Sequence, residues 1–351
     1  MELYKILYNG NVVAKQIEDG GEFIKEQDNV IVPATIFGLY GDKRGTFEKF
    51  KRWCEDRVFS KYRPDCKELL KSMNLDKYNE LDIAKVTKAV SISDKFSIDW
   101  EEKWFGRKSD LVGSILTGNL IKDIINIEGR LFIIKGSSEY GYEQFAEVLV
   151  SNLLDILGIR HIRYKLYCKN RCICEVYNSA AIDRIPLGSY FESEIGCRLE
   201  QVPKKYLSIK LEEQLERLPK HVLNDIMLML FIDAIVANRD RHLWNIELER
   251  YSDNKLGTLP MYDFGDSLLS GGHRNNKYFK DKAKPFRSTH RSQLKLIKRL
   301  GFNYSIKNTN AVYSKWVDIS KYELSLMNSV YRENIKRALQ YRLNNISNFC
   351  I

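Results

Sequence analysis

The stretch NRDRHLWN, residues 238–245, concentrates side chains that could take part in chemistry. Two arginines, an aspartate, a histidine and two asparagines occur within these eight residues, directly after the apolar run IMLMLFIDAIVA. Asp240 is a candidate proton acceptor, because a carboxylate can take or orient a hydroxyl proton. Asn245 is a candidate oxygen ligand for a hard cation such as magnesium. The loop is therefore expected to belong to a reactive site.

A hairpin after this loop is expected to bring a second carboxylate to it. NIELER alternates apolar and charged residues, YSDNKLG is a turn, and TLPMYDFG returns. A hairpin of this length places Asn245 and Asp263 at the same end. The two oxygen-bearing side chains are therefore predicted to meet.

An upstream stretch supplies a candidate cation and a candidate carboxylate on regular elements. RLFIIKG is predicted to be a strand that ends near Lys135. EQFAEVLVSNLLDILG is predicted to be a helix that carries Glu143 and Glu147 and stops at Gly158. Before the strand, LVGSIL is a further candidate strand with Gly118 in the turn that follows.

These groups are the ones that phosphoryl transfer from ATP needs. The reaction requires a carboxylate for the attacking hydroxyl, oxygen ligands for magnesium, a cation on the phosphates and a backbone cradle. Protein kinases present them in a fixed order along the chain, and this sequence has the same order. Each part alone is weak, because a lysine at a strand end is usually solvated and Asp-Phe-Gly is common in turns. The order, with each group on the expected type of element, supports a kinase.

The motifs resemble those of HipA-like kinases. VANRDRHLWN followed by LPMYDFGDSLL resembles that family's N-x-D-R-H-x-x-N loop and its Y-D-F/N segment. GNLIK resembles the phosphate loop, and LFIIKG with AEVLVSNLLDILGI resembles the lysine strand and the following helix. The resemblance covers roughly residues 110–300. The sequence departs from the family in three places. GNLIK replaces a glutamine-containing loop, Ala146 replaces the asparagine before the helix glutamate, and the N-terminal 105 residues match the longer family members poorly, so these residues do not themselves imply an antitoxin contact.

The resemblance implies an α+β, two-lobed protein-kinase-like fold and an ATP- and magnesium-dependent protein serine/threonine kinase. It implies that Asp240 is the base toward a protein hydroxyl and that Asn245 and Asp263 bind magnesium. It also implies that Lys135 contacts the ATP phosphates and that Glu147 holds this lysine. Glu147 is preferred to the neighbouring helix glutamate because its distance to the end of the helix matches the family.

The resemblance further implies where the nucleotide binds. The phosphate loop contributes Thr117, Gly118 and Lys122, and the backbone of CEVYN, from Glu175 to Tyr177, receives adenine as the hinge. Thr117 stands where some relatives carry a serine that becomes autophosphorylated, but an ordinary turn residue remains an alternative. His242 is expected to be structural, since the aspartate already serves as base.

Length and composition set the domain organisation. The 351 residues are enough for a large core divided between lobes. We expect an N-terminal accessory region of a β-hairpin plus helices at 1–105, a strand-rich N-lobe with phosphate loop and hinge at 106–178, and a helical C-lobe at 179–351. Asn9-Gly10 predicts the hairpin turn.

The charge balance and cysteine content favour an anionic partner and a reducing compartment. Lysine and arginine number 56 against 46 acidic residues. The N-terminus does not resemble a secretory signal, the longest apolar run is too short for a membrane crossing, and seven cysteines suggest no disulfide framework. The expected location is the cytoplasm, and the expected partners are ATP, a protein with a Ser or Thr hydroxyl and, from the resemblance, an antitoxin.

Three alternatives remain open at this point. The chain could be an ATP-binding regulator without activity, or a kinase for a small molecule or lipid. It could also bind nucleic acid, because residues 273–299 are strongly basic with interleaved aromatic residues. That segment follows Asp-Phe-Gly, where kinases dock substrates. Docking of an acidic substrate surface is therefore favoured, and a protein that handles tRNA is the candidate that the resemblance suggests.

Overall fold

The structure is a computed structural model that describes residues 3–17, 21–41, 44–92, 94–101, 122–136, 141–168, 170–271 and 279–350. The sequence predictions for Thr117 and Gly118 fall outside these ranges, as do the candidate strand LVGSIL and the beginning of the basic segment. None of the helices in the described ranges combines the length and the apolar composition that a membrane crossing requires.

The N-terminal unit is a sheet with helices packed on it. Its elements are β1 (Leu3–Tyr8), β2 (Asn11–Gln16), β3 (Glu22–Lys25), α1 (Ala34–Phe37), β4 (Gly45–Thr46), α2 (Phe47–Glu55), α3 (Cys66–Ser72), α4 (Glu80–Thr87) and β5 (Phe96–Glu101). The strand order among these described residues is β4-β3-β2-β1-β5. Asn9 and Gly10 both have positive φ, 51° and 79°, which confirms the predicted hairpin turn. The sequence had indicated only this hairpin, so β3, β4 and β5 are additional.

The N-lobe is a small antiparallel sheet with one long helix beside it. Its described elements are β6 (Lys122–Ile127), β7 (Arg130–Gly136), α5 (Glu143–Leu157), β8 (Tyr164–Cys168) and β9 (Arg171–Glu175), with the strand order β6-β7-β9-β8. Lys122 and Lys135 are cross-strand partners in the β6–β7 pair. Gly158 ends α5 with φ 67°, a left-handed conformation that glycine adopts without strain.

The C-lobe is built around one buried helix. Its described elements are β10 (Asp183–Pro186), α6 (Leu187–Ile195), a 3₁₀ turn (Leu199–Gln201), α7 (Lys204–Glu216), α8 (Lys220–Val236), a second 3₁₀ turn (Leu243–Asn245), β11 (Glu247–Arg250), β12 (Leu256–Thr258), α9 (His290–Arg299), α10 (Thr309–Ile319), α11 (Lys321–Ser325), α12 (Ser329–Asn345) and α13 (Ser347–Cys350). Helix α8 is buried over most of its length, as its nearly uniform apolar sequence predicts. It ends immediately before the polar loop 238–245, which it thereby fixes in place.

A buried ion pair of the C-lobe holds the N-terminal unit through hydrogen bonds with its backbone. The Arg250 guanidinium lies 3.3 Å from the Asp183 carboxylate, and both side chains are almost fully buried. Arg250 also donates hydrogen bonds to the backbone carbonyls of Val32 and Leu39, at 2.5 and 3.2 Å. The backbone N–H of Ala34 donates to Asp183 Oδ2 at 2.9 Å. The N-terminal unit is therefore fixed against the C-lobe by polar groups that water does not reach.

Candidate functional site: a phosphoryl-transfer cleft

Lys135 connects the N-lobe to the C-lobe. Its Nζ lies 2.8 Å from Glu147 Oε1 on α5 and 3.1 Å from Asp263 Oδ1. The Asp263 and Glu147 carboxylates hold the pKa of Lys135 well above its ordinary value, although burial by itself would lower it. The ammonium is therefore charged and is fixed between two carboxylates. The choice of Glu147 over Glu143 as the partner agrees with this geometry.

Glu147 also positions the backbone of the Asp-Phe-Gly turn. Its second carboxylate oxygen, Oε2, accepts a hydrogen bond of 2.8 Å from the backbone N–H of Phe264. Asp263 has φ 62°, a left-handed conformation that Asp tolerates better than most residues. Glu147 is buried, and burial raises its pKa against the opposing effect of Lys135. One carboxylate thus sets both the lysine and the loop that carries Asp263.

Two lysines and one partly exposed carboxylate determine the electrostatics of this part of the cleft. Burial would raise the pKa of Asp263, but the ammonium groups of Lys135 and Lys122 outweigh it and hold that pKa well below its ordinary value. Burial, with a contribution from Lys135, lowers the pKa of Lys122 to about 8. Asp263 is thus a carboxylate at neutral pH, and both lysines line the same cavity as this carboxylate.

A buried arginine beneath the loop connects its two functional segments. Arg241 and Asp233 are fully buried, with Nε–Oδ2 and Nη2–Oδ1 distances of 3.0 and 3.2 Å. Arg241 Nη1 donates to the backbone carbonyls of Asn245, at 3.1 Å, and Tyr262, at 2.6 Å. The guanidinium also lies 4.8 Å above the Phe264 ring. This one side chain therefore fixes the loop that carries Asn245 relative to the segment that carries Asp263.

Asp240 lies at the open side of the cleft. Its carboxylate Oδ1 is 2.7 Å from Lys284 Nζ, and the two side chains are 51% and 38% exposed. The backbone N–H of Asp240 donates to Asn238 Oδ1 at 3.1 Å, which holds the turn. The Asn245 side-chain amide donates to the Asp240 carbonyl at 3.4 Å. The candidate base is thus accessible, while its backbone is fixed from both sides.

The predicted hinge segment lines the same cleft. The backbone N–H of Val176 donates to the Leu131 carbonyl at 2.8 Å, which continues the β7–β9 pairing beyond the strand. The Tyr177 carbonyl accepts a hydrogen bond of 2.6 Å from Arg184. Glu175 and Tyr177 both line the cavity, where the sequence places the adenine site.

The cleft is a cavity of about 700 Å³ that most of the predicted site residues share. The predicted residues that line it are Lys122, Lys135, Glu175, Tyr177, Asp240, Asn245 and Asp263. Glu147 stands behind them in contact with Lys135, and His242 lines the cavity with a pKa that burial lowers. The hairpin β11–β12 does bring Asn245 and Asp263 to one site, as predicted.

The N-terminal unit forms part of the cavity wall. Its lining residues include Trp53, Asp56, Arg57, Tyr78 and Asp94. Arg57 and Asp94 form a buried ion pair, and Arg57 lies 3.9 Å above the Trp53 ring. No sequence motif indicated that the N-terminal unit lines this cavity.

The sequence analysis did not identify three side chains around the loop 238–245: Asp233, Arg241 and Lys284. Asp233 was visible only as the one charged residue in an apolar run, and that was a usable signal, since a buried carboxylate requires a partner. Arg241 lies inside the motif, but nothing in the motif shows that it is a buried anchor. The contact from Lys284 depends on packing between distant segments.

Comparisons with known proteins agree with the fold. No family model matches the chain, and no curated protein does. The toxin HipA of Shewanella oneidensis, solved in complex with HipB and its operator DNA, superimposes with a TM-score of 0.60 at 11% identity, over 98% of this chain and 97% of that one. The chain has the HipA kinase fold. The proinflammatory kinase CtkA of Helicobacter pylori gives a TM-score of 0.48 at 14% identity, over 66% of this chain and 90% of that one. The predicted two-lobed α+β kinase architecture is confirmed.

Proposed function

We propose that this chain is an ATP- and magnesium-dependent protein serine/threonine kinase. The observation that carries the proposal is the contact of Lys135 with both Glu147 and Asp263, at 2.8 and 3.1 Å. These residues come from a strand, a helix and a loop far apart in the sequence. Phosphoryl transfer needs this arrangement, because the phosphates must be held by a fixed cation while a metal ligand stands beside them.

Asp240 acts as the base in the proposed reaction. The substrate hydroxyl oxygen forms a bond to the γ-phosphorus, and the hydroxyl proton passes to Asp240. The bond between the γ-phosphorus and the β–γ bridging oxygen breaks, and its electron pair remains on ADP. Lys135 holds the phosphates, Lys122 adds positive charge beside it, and Glu147 keeps Lys135 in place.

Asn245 and Asp263 are the proposed magnesium ligands. Both line the cavity, and the Asp263 side chain is 35% exposed there. Within the described ranges no group of three or more His, Cys, Asp and Glu side chains is placed to hold a metal by itself. One carboxylate and one amide oxygen suit a magnesium ion that phosphate oxygens and water complete. When bound, magnesium neutralises charge on the β- and γ-phosphates.

The remaining nucleotide contacts follow the sequence predictions. Thr117 and Gly118 would cradle the phosphates together with Lys122, and the backbone from Glu175 to Tyr177 would receive adenine. This placement is supported by Glu175, at the end of β9, and by Tyr177, because both line the cavity that also contains Asp240.

A toxin–antitoxin role is part of the proposal. The Shewanella oneidensis HipA structure contains HipB and operator DNA, and a chain of the same fold over 98% of its length is a candidate for such a pair. The net charge of +10 suits an acidic partner or substrate surface, such as that of a tRNA-handling protein. We place this activity in the cytoplasm.

The test is transfer of labelled phosphate from ATP to the proteins of a cell lysate, with identification of the labelled proteins. Asp240→Asn should lose about a hundredfold or more in rate while still binding ATP, the usual scale for a positioned acid–base group. Asp263→Ala should weaken both binding and transfer. Asp253→Asn, an exposed hairpin aspartate paired with Lys255, is the matched control and should behave like the wild type.

The outcomes separate the alternatives. Substantial protein phosphorylation by folded Asp240→Asn would refute the assignment of the base. ATP binding without turnover would indicate a regulator, and label found only in lipid or small molecules would indicate a different kinase class.

A further inference from the structure

Lys284 is a candidate catalytic residue that no motif contains. Its Nζ lies 2.7 Å from Asp240 Oδ1, although the two residues are 44 positions apart in the sequence. An ammonium has three donors, and the contact with this carboxylate uses one of them. The side chain is 38% exposed, so its tip has room to turn toward a ligand in front of the base.

The backbone of Lys284 is fixed by the C-lobe and not by the ion pair. Its carbonyl accepts a hydrogen bond of 2.8 Å from Gln293 Nε2, and Gln293 Oε1 accepts one of 3.2 Å from the Phe286 backbone N–H. Ala283, Phe286 and Gln293 are all nearly completely buried. The backbone that carries Lys284 is therefore held rigidly, and only the side chain is free to move in front of Asp240.

A cation in front of the base favours phosphoryl transfer, because it stabilises the charge on the transferring oxygens. Lys135 is engaged by Glu147 and Asp263. Burial lowers the pKa of His242, so that this ring is neutral at pH 7, and Arg241 is buried against Asp233 beneath the loop. Among the described side chains, the cation in contact with the Asp240 carboxylate is Lys284.

We propose that Lys284 contacts the phosphoryl group during its transfer, an inference that rests on the proposed kinase function. The attacking hydroxyl must lie within about 3 Å of Asp240 and about 3–3.5 Å of the γ-phosphorus. An ammonium 2.7 Å from the same carboxylate can therefore reach an equatorial phosphoryl oxygen by a small side-chain rotation. As the hydroxyl proton passes to Asp240 and the electron pair leaves on ADP, Lys284 stabilises the charge on these oxygens.

The experiment compares Lys284→Met, Lys284→Arg and the control Lys315→Met. Lys315 is exposed on α10, outside the basic segment 273–299, so its variant removes the same charge away from the cleft. For each variant we would measure kcat with the identified substrate and the Kd of ATP. We would also measure the Kd of ADP in the presence of magnesium and aluminium fluoride, because aluminium fluoride mimics the phosphoryl group during transfer.

We expect Lys284→Met to lower kcat about a hundredfold, the scale for loss of one donor to the transition state. Affinity for ATP should change less than twofold, whereas affinity for ADP with aluminium fluoride should fall by a factor similar to that in kcat. Lys284→Arg should recover part of both losses, and Lys315→Met should match the wild type.

Three results would overturn the inference. Equal or higher kcat in Lys284→Met would show that the contact is dispensable or inhibitory. A lower kcat with unchanged affinity for ADP with aluminium fluoride would show that Lys284 only orients Asp240. A wild type that transfers no phosphate would refute the proposed function itself, and this inference with it. If the wild type transfers phosphate and Asp240→Asn does not, the proposed function stands, even where the Lys284 variants contradict this inference.

Discussion

Removal of the Asp233 carboxylate should destabilise the protein and misplace its loop. Asp233 accepts hydrogen bonds from Arg241 Nε, Arg241 Nη2 and Asn238 Nδ2, at 3.0, 3.2 and 2.9 Å. Asp233→Ala leaves a fully buried guanidinium without its counter-charge, although two backbone carbonyls still accept from Nη1. The loss of one partner of a buried pair costs about 3–5 kcal/mol in the free energy of unfolding. That corresponds to a fall in Tm of roughly 6–20 °C for a lobe of this size.

The assay is thermal and urea unfolding beside Asp225→Ala. Asp225 is exposed on the same helix and accepts a hydrogen bond of 2.6 Å from Thr258, so its removal should cost about 1 kcal/mol. The double variant Asp233→Leu, Arg241→Met removes both charges and should recover most of the stability. Activity should stay low in it, because Arg241 no longer connects the carbonyls of Asn245 and Tyr262. Equal losses in Asp233→Ala and Asp225→Ala would refute the reasoning.

Three further predictions concern coupling, pH and modification. Lys135→Ala and Glu147→Ala should each lower the rate of phosphoryl transfer severely, and the double variant should be little worse than Lys135→Ala alone. The measurement is a double-mutant cycle with Glu143→Ala as control, and additive losses in it would mean that the pair does not act together. Burial raises the pKa of Asp56 to about 6, so the folded state binds a proton at this carboxylate more tightly than the unfolded state does. The free energy of unfolding should therefore fall as pH rises from about 4 to about 6. Asp56→Asn should flatten this pH dependence in urea unfolding, and an unchanged slope in the variant would contradict the prediction. Incubation with magnesium and ATP should lead to phosphorylation of Thr117. Thr117→Asp should be inactive, because the added negative charge repels the ATP phosphates. If mass spectrometry finds Thr117 unmodified in an active enzyme, this prediction is wrong.

The parts of the site that could be predicted lie in short, ordered motifs. Asp240 and Asn245 share one loop, and the hairpin length alone was enough to bring Asp263 to them. RLFIIKG is rich in apolar and β-branched residues and EQFAEVLVSNLLDILG has a helical apolar stripe, so the types of element that carry Lys135 and Glu147 were readable. The preference for Glu147 as the partner came from the resemblance. Local sequence determines these features, which is why single-sequence reasoning recovers them.

The parts that were missed depend on non-local packing or on weak local patterns. The contact of Lys284 with Asp240 requires the segment before α9 to fold back onto the loop, and no spacing rule describes that. Strand β5 has the alternation Phe96, Ile98, Trp100 and was therefore readable, although the sequence analysis did not identify it. It pairs with β1 and so belongs to the N-terminal unit.

The N-terminal unit bears on how a substrate would approach if the proposed function is right. Arg250 and Asp183 fix that unit against the C-lobe, and its residues Trp53 and Arg57 line the cavity. The Asp240 and Lys284 side chains remain about half exposed. Under the proposed function, a folded substrate would present its Ser or Thr hydroxyl at this exposed carboxylate, and the nucleotide would occupy the cavity that Trp53 and Arg57 help to line.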